Sequence, residues 1–448
     1  MREEELIIYK EFGEGEILKD MVWLMEHYRS GEGQARPLLY ECMHRLLEQA
    51  ADHGFYGNLW HCYLTNLLVN NENSYSMACE IRGAVEGSIN ELVLHDIAIF
   101  KEFYDYDFTP MLEILKAPEF YTVLNYRSPS QDSKVYNKRI RDRICHLAEQ
   151  FVKDENAQAM KATLTEFYRE YGVGKFGLHK AFRTEHRDNT GYIAKDKMAD
   201  VNLDNKTDVK ILPITNIAHV DFDDLIGYEA QKKQLIDNTE AFINKRPCNN
   251  CLLFGEAGTG KSSSIKALLN KYYDQGLRII EIYKHQFKDI EDIISQIKNR
   301  NYRFIIYMDD LSFEEFEVEY KYLKAVIEGG LEKKPENVLI YATSNRRHLI
   351  KESFNDRDDY NEDLHSFDTK QEKLSLASRF GVTIYYPSPE KKEFNEIVKE
   401  LAKRFDINLE EDELLLMANK WEVRNGGLSG RSASQFIDYL RGTKQANS

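Results

Sequence analysis

Residues 251–263 of the chain read CLLFGEAGTGKSS, and this stretch decides the fold. Within it, residues 255–262 match the pattern G-x-x-x-x-G-K-[ST] in full, ending in Lys261 and Ser262. An apolar run precedes the pattern, and a segment with helical spacing follows it. The glycines let successive backbone N–H groups face phosphate oxygens, and the N-terminus of a helix adds partial positive charge. The stretch therefore predicts a strand, a phosphate-binding loop and a helix in succession.

The residues of this loop are expected to bind a nucleotide and its metal ion. Lys261 is expected to reach the β- and γ-phosphates, and the Ser262 hydroxyl is expected to ligate Mg²⁺. The pattern therefore predicts ATP and Mg²⁺ as cofactors. The other predicted binding positions are Gly255, Glu256, Ala257, Gly258, Thr259, Gly260 and Ser263.

A second apolar run, residues 303–308, ends in the paired acids Asp309 and Asp310, as a Walker B segment does. Asp309 is expected to hold Mg²⁺ through water, and Asp310 stands where a water-activating acid belongs. Many ATPases of this kind have Glu at the second position. Because Asp is one methylene shorter, we expect it to hold the attacking water less well, and a Glu there to raise turnover.

From about Asp221 onward, short apolar runs alternate with amphipathic segments. Strands that are apolar throughout and alternate with helices predict a parallel sheet covered on both faces. After residue 388 the pattern is helical only, which predicts a small lid. The predicted strands are 251–254, 278–282, 304–308, 338–342 and 382–386; the predicted helices are 261–273, 290–298, 313–328, 391–404, 411–421 and 432–440.

The sequence predicts four segments along the chain. Residues 1–183 place apolar side chains at three- and four-residue spacing, which predicts a mostly α-helical N-terminal domain that binds a partner. Residues 184–220 are polar and then extended, which indicates a linker or clasp. The α/β nucleotide-binding core is expected over 221–388, and the helical lid over 389–448.

Composition limits the class of protein. The net charge of −15 lowers the expectation of a long, non-specific nucleic-acid groove, although a local basic patch remains compatible with it. Six cysteines in 448 residues fit a reducing compartment. No signal-peptide pattern and no run of about 18 or more apolar residues occurs, so we expect a cytoplasmic protein with no membrane segment.

Further motifs give the chain a recognisable order. The predicted strand 338–342 runs into Thr-Ser-Asn345, Ser-Arg379-Phe precedes the last predicted strand, and Ser-Gly-Arg431 opens the last predicted helix. With the phosphate-binding loop, the Walker B acids and the upstream DLIGY at 224–228, this order resembles that of AAA+ ATPases. More narrowly, the stretches LIGYEAQKKQL, DDLSFEE, ATSNRRHL, EKLSLASRFG and GGLSGRSASQF resemble a bacterial family of AAA+ ATP-binding proteins known mainly as a domain of unknown function.

The resemblance, which covers residues 210–445, implies further roles. Ile226 and Gly227 would lie against the adenine, and Asn345 matches the sensor 1 residue that orients the attacking water. Arg379 matches the arginine finger, which in this superfamily reaches the nucleotide of a neighbouring subunit. Arg431 matches sensor 2, which touches the γ-phosphate from the lid.

Together these observations lead to an expectation of ATP hydrolysis in a homo-oligomer that remodels or moves a macromolecular client, a protein or a nucleic acid. The alternative is a slow ATP-dependent switch or loader, because the paired acids also resemble the replication-initiator and helicase-loader branch. A third class, a nucleotide-binding scaffold without turnover, would be separated from both by its rate of hydrolysis.

Overall fold

The structure is a computed structural model that describes residues 3–30, 32–127, 137–186, 209–215, 217–313, 319–328, 335–346, 349 and 376–445. Residues 187–208 of the predicted linker and residues 314–318 of one predicted helix lie outside this set. The chain divides into two compact units. The first is built mainly on residues 1–179, and the second on residues 180–186, 209–212 and 217–448.

The described part of the first unit is helical, as the spacing of its apolar residues predicts. Its helices surround a large core in which Trp60, Phe100, Phe103 and Tyr168 are fully buried. The helices are α1 (Glu16–His27), α2 (Glu32–His53), α3 (Leu59–Asn70), α4 (Ser74–Arg82), α5 (Ile89–Tyr104), α6 (Thr109–Leu115), α7 (Phe120–Leu124), α8 (Lys138–Lys153), α9 (Ala157–Tyr171) and α10 (Gly174–Leu178).

Asparagine side chains begin four of these helices. Asn58, Asn73, Asn137 and Asn156 each accept hydrogen bonds from backbone N–H groups in the first turn of α3, α4, α8 and α9. Such caps satisfy donors that a helix cannot pair internally. The caps explain where these helices start, and the buried stripes explain which face of each turns inward.

The second unit contains a seven-stranded sheet in the order β2-β1-β4-β5-β6-β3-β7. Adjacent strands from β1 through β7 pair in parallel. The strand that precedes the phosphate-binding loop, β3, lies between β6 and β7, so the carboxyl ends of those strands flank the loop. The strands are β1 (Ala181–His186), β2 (Val209–Ile214), β3 (Cys251–Gly255), β4 (Leu277–Glu281), β5 (Arg303–Met308), β6 (Val338–Ser344) and β7 (Val382–Tyr386).

Strands β1 and β2 were not predicted as members of the sheet. Strand β1 spans Ala181–His186 and carries polar residues at most of its positions, so it lacks the apolar run by which the other strands were identified. Parallel pairing with β4 nevertheless adds it to the sheet. Part of the segment predicted as a linker or clasp thus supplies strands. The boundaries of the four predicted segments stay predictions.

Seven helices complete the described part of the second unit, and the last three form the lid. Helix α12 follows the phosphate-binding loop and packs against β4, while α11 packs against β7. The lid has its own core, which includes Phe394, Leu414 and Phe436. The helices are α11 (Glu229–Ile243), α12 (Lys261–Tyr272), α13 (Ile290–Ile297), α14 (Glu319–Glu328), α15 (Lys391–Arg404), α16 (Glu411–Arg424) and α17 (Gly430–Gln445).

Candidate functional site

The phosphate-binding loop connects the carboxyl end of β3 to the first turn of α12, as its sequence predicts. Gly255, Gly258 and Gly260 have φ angles of 136°, 76° and 93°, a region that side chains other than glycine's rarely adopt. A Cβ on Gly255 would lie 2.0 Å from the carbonyl oxygen of Tyr386 at the end of β7. Both backbone conformation and close approach therefore require glycine there.

Lys261, the first residue of α12, is buried and its ammonium group is fully hydrogen-bonded. Its Nζ donates to the carbonyl oxygens of Gly255 (2.8 Å) and Glu256 (2.7 Å). The third acceptor is Oδ1 of Asn345, 3.0 Å away. Burial lowers the pKa of Lys261, an effect opposed first by the charge of Asp310. Two backbone carbonyl oxygens of the loop and the side chain of Asn345 thus hold the ammonium group in place.

The Ser262 hydroxyl donates to Oδ1 of Asp309 at 2.7 Å, which brings together the two predicted metal-binding side chains. The same carboxylate oxygen accepts a hydrogen bond from Thr343 Oγ1 at 2.5 Å. Burial by itself would raise the pKa of Asp309, but the hydrogen bonds from Thr343 and Ser262 outweigh it and lower the pKa. Asp309 is therefore ionised.

Asp310 lies beside Asn345, whose side-chain Nδ2 donates to Asp310 Oδ1 at 2.7 Å. The backbone of Asp310 is left-handed, with φ at 51°. Its N–H is held by Thr343 Oγ1 at 3.0 Å, and Leu311 N–H donates to the Thr343 carbonyl at 2.7 Å. Because β5 and β6 are neighbours, the ends of these two strands fix the position of both side chains.

The lid contacts the phosphate-binding loop directly. The backbone N–H of Arg431, in the first turn of α17, donates to the carbonyl oxygen of Gly258 at 3.2 Å. A Cβ on Gly258 would lie 2.9 Å from Cβ of Arg431 and 3.1 Å from Oγ of Ser429. The start of α17, which carries the predicted sensor 2 residue, is therefore packed on the loop.

Ile226 and Gly227, the residues predicted to contact adenine, lie between the core and the lid. Ile226 packs against the core of the lid, and Gly227 has a φ of 80°. The next residue, Tyr228, donates its hydroxyl hydrogen to the carbonyl oxygen of Pro387 at 2.8 Å. Upstream, Asp224 forms an ion pair with Arg404 of α15 at 2.9 Å. This segment thus links β7 with the lid.

Arg379, the predicted arginine finger, forms an ion pair with Glu328 at the end of α14 in the same chain. Its side chain is three-quarters buried there. The other predicted loop residues make local contacts. Thr259 Oγ1 donates a hydrogen bond to the Glu256 carbonyl oxygen at 2.8 Å. Ala257 lies in the loop, and Ser263 lies in the first turn of α12. The structure therefore brings Lys261, Ser262, Asp309, Asp310 and Asn345 together, and places Arg379 beside Glu328.

Sequence reasoning missed the contributions of Thr343 and Tyr386. The Thr343 hydroxyl donates a hydrogen bond to the Asp309 carboxylate and accepts one from the backbone N–H of Asp310. The carbonyl oxygen of Tyr386 accepts a hydrogen bond from the backbone N–H of Glu256 at 3.2 Å. A polar residue at the end of a central apolar strand was a usable signal for Thr343. Nothing in the sequence signals Tyr386, because its contact depends on the β3–β7 pairing.

The residues present fit a magnesium nucleotide. Mg²⁺ prefers oxygen ligands, which the Ser262 hydroxyl and the ionised Asp309 carboxylate provide. The Tyr307 hydroxyl is buried beside Asp309, Ser262 and Thr343, and its geometry gives it no hydrogen bond within the described part of the chain. The glycine-rich loop and the start of α12 together form the type of backbone cradle that binds phosphates. A triphosphate with its metal ion would match both the charges and the shape of the loop.

Comparisons with known proteins find similarity over parts of the chain. Over 71 residues the chain is 35% identical to the replication factor C large subunit of Staphylothermus marinus, a match that spans 16% of each chain. RuvB of Thermotoga maritima, described as a Holliday junction branch migration motor, matches 51% of this chain and 66% of its own, with 18% identity and a TM-score of 0.36. A variant of the same RuvB matches 51% and 68%, with 18% identity and a TM-score of 0.37.

Within the described ranges, no helix combines the length and the apolar composition needed to cross a bilayer. The parallel sheet, the phosphate-binding loop between β3 and α12, and the helical lid confirm the predicted α/β P-loop fold of the AAA+ type, and the chain also contains the expected mostly helical N-terminal unit. The model of one family matches residues 196–444, more than half of the chain. The chain therefore belongs to the family described as "Protein of unknown function (DUF815)", as expected from its resemblance to an AAA+ family of unknown function.

Proposed function

We propose that this protein binds Mg·ATP at residues 255–263 and hydrolyses it slowly. The observation that carries the proposal is one connected network. Lys261 donates to Asn345, and Asn345 donates to Asp310. Beside it, Ser262 donates to Asp309. A phosphate-binding cation, a metal-binding pair and a carboxylate that can accept a proton are thus neighbours in one loop region.

Each residue has a distinct task in this proposal. Lys261 exchanges its carbonyl acceptors for phosphate oxygens, and Asp310 accepts the proton of the attacking water. Asn345 orients that water, since its amide already contacts Asp310. Mg²⁺, bound by Ser262 and by Asp309 through water, supplies charge neutralisation at the phosphates. Ile226 and Gly227 contact the adenine, and Arg431 reaches the γ-phosphate from the lid.

The lid contact supports a coupling between nucleotide binding and conformation. Because Arg431 N–H is bonded to Gly258, movement of the phosphate-binding loop changes the position of α17. In the proposed homo-oligomer, Arg379 reaches the nucleotide of a neighbouring subunit, and the helical N-terminal unit binds a protein or nucleic-acid client. The work of such an assembly is to remodel or move that client.

The second candidate function is an ATP-dependent switch or loader, in which the bound nucleotide controls assembly and partner binding. The left-handed backbone of Asp310 favours it, because this conformation is more accessible to Asp than to Glu. Since Asp is one methylene shorter than Glu, it holds the attacking water less well, and hydrolysis is slow. The two functions differ in whether client movement follows hydrolysis or binding alone.

The test measures ATP binding by calorimetry and phosphate release at steady state, with and without Mg²⁺. We expect Lys261→Ala to abolish ATP binding or weaken it severely, because no other charged group of the loop replaces the ammonium. An exposed lysine outside the site, Lys233, supplies the control variant Lys233→Ala. Tight binding by Lys261→Ala would refute the assignment. In a separate experiment, affinity capture with the Asp310→Asn variant in the presence of ATP would identify the client.

A further inference from the structure

We propose that Glu281 is an additional positioning residue of the metal site, where its carboxylate accepts a hydrogen bond from a water molecule bound to the Mg²⁺ of Ser262 and Asp309. This inference rests on the proposed function and adds a residue that neither the phosphate-binding loop nor the Walker B pattern contains. Glu281 is the last residue of β4.

The register of the sheet places Glu281 on the same face as the metal-binding carboxylate. In the parallel β4–β5 pair, Glu281 is the partner of Tyr307. Side chains of paired residues point to the same face, and residues two apart on one strand do so as well. Asp309 follows Tyr307 by two positions at the end of β5. Glu281, Tyr307 and Asp309 therefore share one face at the carboxyl edge of the sheet.

A buried hydroxyl provides a second, independent observation at this place. The Tyr307 side chain is 4% exposed, and its hydroxyl lies beside Asp309, Ser262 and Thr343 without the geometry of a hydrogen bond to any described residue. Buried polar groups without partners are rare and call for an explanation. Water in the coordination shell of a metal ion would give this hydroxyl a partner.

The charges around Glu281 favour a cation nearby. Glu281 is half-buried, and the charged side chains of Asp309 and Lys266 both lie close to it. Lys266 lies four residues after Ser262 on α12, one turn along the same side. Two carboxylates that repel each other in a partly buried place are stabilised by a divalent cation between or beside them.

The interaction runs through water and not through direct coordination. Mg²⁺ keeps several of its waters in protein sites, and groups that accept hydrogen bonds from them orient the shell. Glu281 and Tyr307 fit that role. Their strands, β4 and β5, are separated from β3 by β6 in the sheet.

The test measures metal affinity directly, using Mn²⁺ as the probe and its electron paramagnetic resonance signal in the presence of ATP. The variants are Glu281→Gln in the full chain and, as the charge-matched control, Glu291→Gln, an exposed acid of α13. We expect Glu281→Gln to weaken Mn²⁺ binding to the ATP complex about tenfold or more, with metal-free ATP binding unchanged. Glu291→Gln is expected to leave both affinities unchanged.

A third variant, Asp309→Asn, separates the two levels of the proposal. If wild type binds Mn·ATP and only Asp309→Asn weakens it, the role of Glu281 is refuted and the proposed function stands. If wild type does not bind Mn·ATP, the proposed function itself fails. Should Glu281→Gln prove unfolded by circular dichroism, Tyr307→Phe takes its place, because it removes only the hydroxyl. Unchanged Mn²⁺ affinity in Tyr307→Phe would then refute the inference.

Discussion

The side-chain amide of Asn345 donates a hydrogen bond to Asp310 over 2.7 Å, at the ends of two neighbouring strands. The amide oxygen of the same Asn345 accepts a hydrogen bond from Lys261. Three residues that the sequence places far apart thus form one chain of contacts. Any change in the position of Lys261 on binding a phosphate alters the hydrogen bonding of Asp310 through Asn345.

We predict that Asp310→Asn retains ATP binding and loses hydrolysis. Asn cannot accept the proton of the attacking water, which lowers the rate about a hundredfold or more. Asn also tolerates the left-handed backbone at φ 51°, so the fold is expected to be unaffected. Phosphate release and ATP calorimetry measure the two effects. The exposed Asp292 of α13 supplies the control Asp292→Asn. Unchanged phosphate release by Asp310→Asn would show that another group is the base.

The backbone conformation of Asp310 argues against the expectation that a longer acid at position 310 raises turnover. A left-handed backbone favours Asn and Asp, whose short side chains bond locally, and disfavours Glu. The extra methylene would also displace the carboxylate from Asn345. We therefore predict that Asp310→Glu hydrolyses ATP no faster than wild type and unfolds at a lower temperature. A variant that is both faster and equally stable would show that the backbone does not select Asp.

The parts of this site that the sequence predicted are those specified locally. The apolar runs and the glycine pattern predicted β3–β7 and the loop, because burial and phosphate binding leave signals in adjacent residues. The left-handed Asp310, the contact of Lys261 with Asn345 and the strand β1, which lies between β2 and β4, left no such signal. Each arises from strand order and register, which bring together positions between 35 and 100 residues apart. These tertiary contacts could be found only in the structure.

We predict that Gly258→Ala weakens ATP binding at least tenfold through loss of the lid contact. The new Cβ would lie 2.9 Å from Cβ of Arg431, so α17 would have to move. Gly427→Ala is the matched control, because Gly427 also has a positive φ, 85°, but an added Cβ there meets nothing within 4 Å. Both variants carry a backbone cost of about 1 kcal/mol, and the crowding at Gly258 adds to it, so Gly258→Ala should also be the less stable of the two. Equal ATP affinities in the two variants would contradict a role for the lid contact.

The last prediction is that hydrolysis depends on self-assembly through Arg379. A guanidinium is always charged and can bond two phosphate oxygens at once, so it stabilises the charge that develops during transfer. Arg379 is paired with Glu328 within its own chain, and this ion pair holds the side chain in a defined position before assembly. Arginine fingers supply about a thousandfold or more in rate. Specific activity should therefore rise with protein concentration.

Two variants then separate the finger from the pocket. Arg379→Ala should bind ATP nearly normally and hydrolyse it poorly. The control is Arg424→Ala, at an exposed arginine of the lid, which should bind and hydrolyse ATP normally. A subunit with Arg379→Ala retains a sound pocket, and one with Lys261→Ala retains a sound finger. Mixing the two should recover part of the activity that each lacks, because some mixed interfaces combine the intact halves. Turnover independent of concentration, with no recovery despite demonstrated co-assembly, would show that Arg379 does not act on a neighbouring subunit.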